Sequence, residues 1–172
     1  MKTFLGKIEA KIDVKGRVFV PSVFRKVFSE EDRERIVVRM EADEKYLVVY
    51  PESVWNKQVL DLQSKLNEWD PEDQMLLMQF VGDAEMLEFD AQGRVLLPKR
   101  LQTRLGGDSE LIFVGMVDRI ALWSKSMYEE LKKVFGGAGY SFAQGSRMTF
   151  DYILSEIADG NIEIRESGFR KT

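Results

Sequence analysis

The chain is 172 residues long, 44% hydrophobic and 31% charged, which fits one or two small folded domains and excludes wholesale disorder. It contains neither cysteine nor histidine, so disulfides, thiolate chemistry, the commonest general base and the commonest metal ligand are excluded together. Its net charge of −4, taken as a total, argues against a polyanionic partner.

Residues 7–13 alternate apolar and polar side chains, the period of a half-buried strand. Asp13 to Gly16 reads as a tight turn, because the Asp carboxylate can accept from backbone N–H groups two residues on and Gly tolerates positive φ. A strand follows from Arg17 to Val20, and Pro21 opens a short helix through Val23, Phe24, Val27 and Phe28. After an acidic loop, Ser29 to Glu34, the strands Ile36–Met40 and Tyr46–Tyr50 pair across Glu41–Lys45. Pro51 opens a longer helix on which Trp55, Val59, Leu62, Leu66 and Trp69 form one apolar face. Asp70 caps another, with Pro71 at its first position and acids in its first turn, running to Phe80.

The second half repeats the order: strand Met86–Phe89, turn Asp90–Gly93, strand Arg94–Leu97, and a helix from Pro98 through Leu101 and Leu105 that Gly106 and Gly107 end. Leu111–Val114 and Arg119–Trp123 close it as a strand pair. Ser126 and Glu129 read as a capping box, with Gly136 as the stop of that helix. A glycine-rich connection, Gly136–Gly145, leads to a last helix capped by Thr149, through Phe150, Ile153, Leu154 and Ile157, closed by Gly160. The final dozen residues lack periodicity and are expected to be disordered. The tryptophans Trp55, Trp69 and Trp123 are expected in the core or between subunits rather than as base-stacking platforms. No apolar run nears the roughly 20 residues of a membrane helix, and no secretory signal opens the chain, which predicts a cytoplasmic location and no membrane partner.

One motif occurs twice. Asp13, Gly16, Arg17, Val18 and Pro21 recur 77 positions later as Asp90, Gly93, Arg94, Val95 and Pro98, the mark of a duplicated structural unit. The division expected is 1–52 first repeat, 53–81 linking helices, 82–125 second repeat, and 126–172 C-terminal helices and tail. Charge follows the motif: residues 1–28 carry +5 and residues 91–107 carry +4, leaving −13 elsewhere. Cations gathered on two similar turns are the electrostatic footprint of anion binding. The bland alternative makes each Asp–Arg pair a surface salt bridge stapling a turn, worth at most about 1 kcal/mol.

On these residues the chain resembles the MraZ family of bacterial transcriptional regulators. The matching stretches run from Asp13 to Arg25 and from Asp90 to Pro98, with support from Tyr50–Trp55 and Phe113–Ser124. That resemblance implies an α+β fold, in which two AbrB-like swapped-hairpin β units form a small barrel-like core with peripheral helices. It implies a homo-oligomeric ring that binds tandem repeats of double-stranded DNA in the promoter of the division and cell-wall operon, and hence a nucleoid-associated protein. It points to Asp13 and Arg17, and to Asp90 and Arg94, as DNA contacts. Physically, a narrow β element can enter the major groove, where Arg donates bidentately to guanine and the Asp holds its guanidinium in plane. Lys15, Arg25, Lys26, Lys99 and Arg100 are placed to hold phosphates. No cofactor, metal or small-molecule substrate is expected. The chain departs from the family between Glu72 and Phe80, where relatives commonly carry arginines and this chain has none.

Three rival readings define the tests. An enzyme would need paired carboxylates or a metal held by acids, Asp13 and Asp90 being the symmetric candidates, each beside an Arg that keeps it ionised. A purely oligomeric scaffold would show no salt-dependent DNA binding. Another AbrB-type DNA binder, such as an antitoxin, would carry one hairpin unit per chain rather than a fused pair.

Overall fold

The computed structural model describes residues 2–40, 45–137, 162–165 and 168–171. The chain divides into two compact units, Met1–Ser126 and Met127–Thr172. The first unit runs β1 (Lys7–Lys11), β2 (Arg17–Phe19), α1 (Ser22–Arg25), β3 (Arg35–Met40), β4 (Leu47–Pro51), α2 (Glu52–Lys65), α3 (Pro71–Gly82), β5 (Ala84–Glu88), β6 (Arg94–Leu96), α4 (Lys99–Arg104), β7 (Glu110–Met116) and β8 (Arg119–Ser124).

Six strands make one antiparallel sheet in the order β1-β7-β8-β4-β3-β5, and β2 pairs with β6 as a separate two-stranded ribbon. The repeats exchange strands. β1 of the first repeat lies on β7 of the second (Lys7 opposite Val114), β5 of the second lies on β3 of the first (Arg35 opposite Glu88), and β4 meets β8 at the centre. The strands on either side of each turn therefore do not continue as local hairpins beyond the bonds that close the turns, Asp13 N to Arg17 O and Asp90 N to Arg94 O. Past the first turn a single bridge, Ile12 to Val18, precedes the parting of β1 and β2. β1 and β5 each gain a five-residue ladder in the other repeat, on β7 and β3, which satisfies more hydrogen bonds than pairing with three-residue β2 or β6 could, and β2 and β6 then pair with each other. The fold is mixed α+β, but the barrel-like core is corrected: β1 and β5 end the sheet as edges, and no closed barrel forms among the described residues.

Period-two burial explains the layers. Ile36 and Val38, Leu47 and Val49, Leu111 and Phe113, and Ile120 and Leu122 point to one face, where Val18, Val95, Phe24 and Leu101 cover them. Val37, Val48 and Tyr50 point to the other, where Trp55 of α2 packs and Phe80 of α3 stacks on that indole at 5.1 Å. The ribbon with α1 and α4 thus covers one side of the sheet, and α2 with α3 covers the other. Pro21, Pro51 and Pro98 each stand extended at a helix N-cap. Buried Asp32 accepts from the backbone N–H and hydroxyl of Ser53, tying the loop before β3 to the first turn of α2.

Asp70 caps α3 as expected, accepting from Glu72 N at 2.9 Å. α2 stops sooner than its apolar spacing implies: Leu66 is extended, and Trp69 lies outside the helix, 85% exposed. The cause is Asn67, whose Oδ1 accepts from Trp69 N while its own N–H donates to Asp73, a side-chain turn that competes with the helix. Trp69 is therefore not a core residue of this chain, whereas Trp55 is, and Trp123 stacks on Tyr46 at 4.6 Å. α5 (Lys125–Gly137) begins one residue before Ser126, so Ser126 does not cap it. The Ser126 hydroxyl donates instead to Asp108. Against the expected disorder, the tail forms an antiparallel pair, β9 (Ile162–Arg165) with β10 (Gly168–Lys171). Most of the Glu41–Lys45 connection, most of the glycine-rich link and the Thr149 helix lie outside the described residues.

Candidate nucleic-acid interface

The two turns are built alike, atom for atom. Asp13 Oδ1 accepts from Lys15 N at 2.9 Å and Arg17 N at 2.8 Å, while Oδ2 accepts from Arg17 Nε at 2.7 Å. Asp90 Oδ1 accepts from Gln92 N and Arg94 N, both at 2.9 Å, and Oδ2 from Arg94 Nε at 2.7 Å. Gly16 and Gly93 close the turns at φ 88° and 81°, a region in which a side chain is strained. Each arginine thus has its Nε committed to the Asp, which leaves the Nη groups as the guanidinium's remaining donors.

The same bonds hold both carboxyls below their ordinary value of 3.8; the backbone N–H of Arg17 or Arg94 contributes most, with the guanidinium and the second N–H adding. An acid so placed stays ionised, which leaves it no proton to donate as a general acid. Because the folded value is the lower one, the stabilising contribution is complete above 3.8 and is lost as the pH falls through the folded value. An NMR titration of the two carboxyl carbons is expected to place both midpoints below 3.8. Midpoints at or above that value would mean that the turns do not hold in solution.

The turns are not separate points. In the ribbon, Arg17 stands opposite Leu96 and Phe19 opposite Arg94, with Val18 and Val95 between them turned into the core. Arg17, Phe19, Arg94 and Leu96 therefore share the outer face. One strand spacing and two residues of rise put the two arginine Cα atoms roughly 8 Å apart on the diagonal. Phe19 and Leu96 are 52% and 58% exposed, and the Arg94 guanidinium lies over the Phe19 ring at 5.6 Å. Cations and large apolar side chains alternate on a narrow two-stranded element, the cross-section that a major groove admits.

The other expected contacts divide. Lys15 is exposed on the first turn, Lys26 is exposed just after α1, and Lys99 is exposed as the first residue of α4. Arg25 donates from Nε to Val20 O at 3.0 Å and lies across the second turn, where a Cβ on Gly93 would come within 2.6 Å of its Cζ. Its counterpart in the other repeat is Gln102, which donates to Leu97 O and lies across Gly16 in the same way. Arg100 is turned away, ion-paired with Glu85 at 2.9 Å and donating to Asp83 O. Arg33, absent from the sequence reading, stands beside Arg25 and Lys26 along one cleft. Its only signal was a cation in an otherwise acidic loop. Among the described residues no group of three or more Asp or Glu could hold a metal ion, and no helix is long and apolar enough to cross a membrane.

The family model described as "MraZ protein, putative antitoxin-like" matches residues 3–78 and 80–151. The transcriptional regulator MraZ of Bacteroides fragilis is 38% identical over 152 residues, spanning 87% of this chain and 96% of that one. The transcriptional regulator MraZ of Phocaeicola vulgatus is 42% identical over 127 residues, spanning 74% and 82%. That of Neisseria meningitidis is 39% identical over 129 residues, spanning 73% and 83%.

Proposed function

Because the chain belongs to the MraZ family, we propose that it is a non-enzymatic transcriptional regulator that reads duplex DNA with the β2–β6 ribbon. The observation that carries this reading is the pair of Asp-held arginines on one exposed ribbon face. Arg17 and Arg94 donate to guanine O6 and N7 in the major groove, with Asp13 and Asp90 fixing their planes, while Phe19 and Leu96 lie against thymine methyl groups. Lys15, Lys26 and Lys99 hold flanking phosphates and set the register. The exchanged strands support an AbrB-like swapped arrangement contained in one chain.

The targets proposed are tandem repeats in the promoter of the division and cell-wall operon, bound by a ring of copies in the nucleoid. Several ribbons on one ring turn weak single contacts into useful affinity. Self-association is supported by α3, where Met75, Met78 and Val81 follow at three-residue spacing and are 63%, 60% and 42% exposed. That stripe lies on the side of the sheet away from the ribbon, so copies can join there without covering the reading face. Met78→Glu with Val81→Glu is expected to lower the mass measured by light scattering toward one chain, and an unchanged mass would place the contact elsewhere.

Fluorescence anisotropy with a duplex from upstream of the protein's own gene, a scrambled duplex and two salt concentrations tests the function. Preference for the native duplex, with affinity falling steeply as salt rises, is the expected result. A folded, oligomeric protein that binds neither duplex would favour the scaffold reading instead.

A further inference from the structure

The two turns are alike, but the clefts beside them are not. Between α1 and the second turn lies a cleft of about 500 Å³ whose walls include Ser22, Arg25, Lys26 and Arg33 on one side and Asp90 and Gly93 on the other. Between α4 and the first turn lies its counterpart, about 210 Å³, walled by Asp13, Gln102, Asp108 and Ser109, with no Lys or Arg in its lining. The difference follows from the residues: Arg25 and Lys26 of the first repeat correspond to Gln102 and Thr103 of the second. Asp90 is already matched by Arg94, so three cations face the larger cleft uncompensated within it. In the smaller cleft Asp108 accepts from the Ser124 and Ser126 hydroxyls, which hold it ionised, and that negative charge repels a phosphate.

We propose that the cleft between α1 and the second turn is a site for one phosphate of the DNA backbone, formed by Arg25, Lys26 and Arg33 of the first repeat against the Asp90–Gly93 turn of the second. It rests on the DNA-reading function above and adds an asymmetry to it. The second tip is anchored: Arg94 reads a base while cations from the other repeat clamp the adjoining strand. The first tip reads through Arg17 without an equivalent clamp. Lys15 on the first turn, replaced by Gln92 on the second, is a single exposed cation rather than a walled site. The ribbon therefore sits on DNA with a direction, although its two arginines are arranged alike.

A mutant cycle tests this. Lys26→Ala/Arg33→Ala removes two exposed cations and leaves Arg25, whose Nε is bonded to the backbone, in place. The pair is introduced into the unaltered protein, into Arg17→Ala and into Arg94→Ala, and each is titrated with the native duplex over a salt series. In the unaltered and Arg17→Ala proteins the pair is expected to weaken binding about tenfold at low salt and to make the salt slope shallower by about one phosphate contact. In Arg94→Ala, where the second tip no longer docks, the same pair is expected to cost less than about threefold. A control pair on the far side of the sheet, Lys57→Ala/Lys65→Ala, is expected to leave the slope unchanged. Equal losses in the Arg17→Ala and Arg94→Ala backgrounds, or no loss in any, would overturn the proposal while leaving the DNA-reading function standing. Displacement of duplex by millimolar inorganic phosphate at constant ionic strength would overturn it too, because the cleft would then be a small-anion site. An unaltered protein that binds no duplex defeats both readings at once.

Discussion

The double variant Arg17→Ala/Arg94→Ala is expected to lose its preference for the native duplex while remaining folded. Each bidentate arginine–guanine contact is worth about 1–3 kcal/mol of discrimination, so losing both removes about 2–6 kcal/mol, or roughly 30-fold to 10⁴-fold in affinity. The two positions are diagonal neighbours on one ribbon, and Arg94 also packs on Phe19, so the double loss need not equal the sum of the single ones. Lys26→Ala supplies the contrast. A phosphate contact carries no base information, so its loss should weaken native and scrambled duplexes about equally and flatten the salt dependence. Anisotropy titrations of both variants against both duplexes make the comparison. If the two variants behave alike, the division between base-reading and phosphate-holding residues is wrong.

Phe24→Ala should act through the fold alone. Phe24 is fully buried in the layer between the ribbon and the sheet, edge-on to Phe4 at 5.8 Å. Deleting a buried phenyl ring removes its transfer free energy and leaves a cavity, about 3–5 kcal/mol together, against a total stability of about 5–15 kcal/mol. Leu101, its counterpart in the second repeat, is as completely buried, and Leu101→Ala is expected to cost about 2–5 kcal/mol. Urea titrations at a fixed protein concentration should show lower midpoints with unchanged slopes for both, and the arginine variant, which loses only two exposed ion pairs, should show a much smaller drop. A Phe24→Ala midpoint within error of the original would mean that the layer refills the space and that α1 is not held as described.

What could be read from residue order alone follows from how local each determinant is. The Asp13 and Asp90 turns were legible because a carboxylate, a glycine and an arginine within five residues suffice to build them. The Asp70 cap and the prolines before α1, α2 and α4 were legible for the same reason. Strand partners were not. A tight turn between two strands implies a hairpin, yet β1 and β2 each find a better partner in the other repeat, a choice made by long-range burial. Apolar spacing carried the α2 reading through Leu66 to Trp69 because spacing does not register the Asn67 side-chain bonds that end the helix. In the tail, Ile162 and Ile164 do alternate with Glu163, but over too short a run to stand out from coil. At the site, the asymmetry was already written in Arg25 against Gln102, but Arg33 joins it only through the path of the loop before β3.

The exchange of strands also sets a timetable for synthesis. β1 emerges from the ribosome first, yet its partner β7 lies on the far side of the second repeat, with Lys7 opposite Val114. At translation rates of about 5–20 residues per second, β1 waits on the order of 5–20 s before its ladder can form. A ribosome that stalls between the repeats leaves β1, β2, β3 and β4 with open edges, a template for aggregation. The first repeat alone lacks Val95, Leu101, Phe113 and Leu122, which complete its main core, so the second repeat is as much the chaperone of the first as its copy.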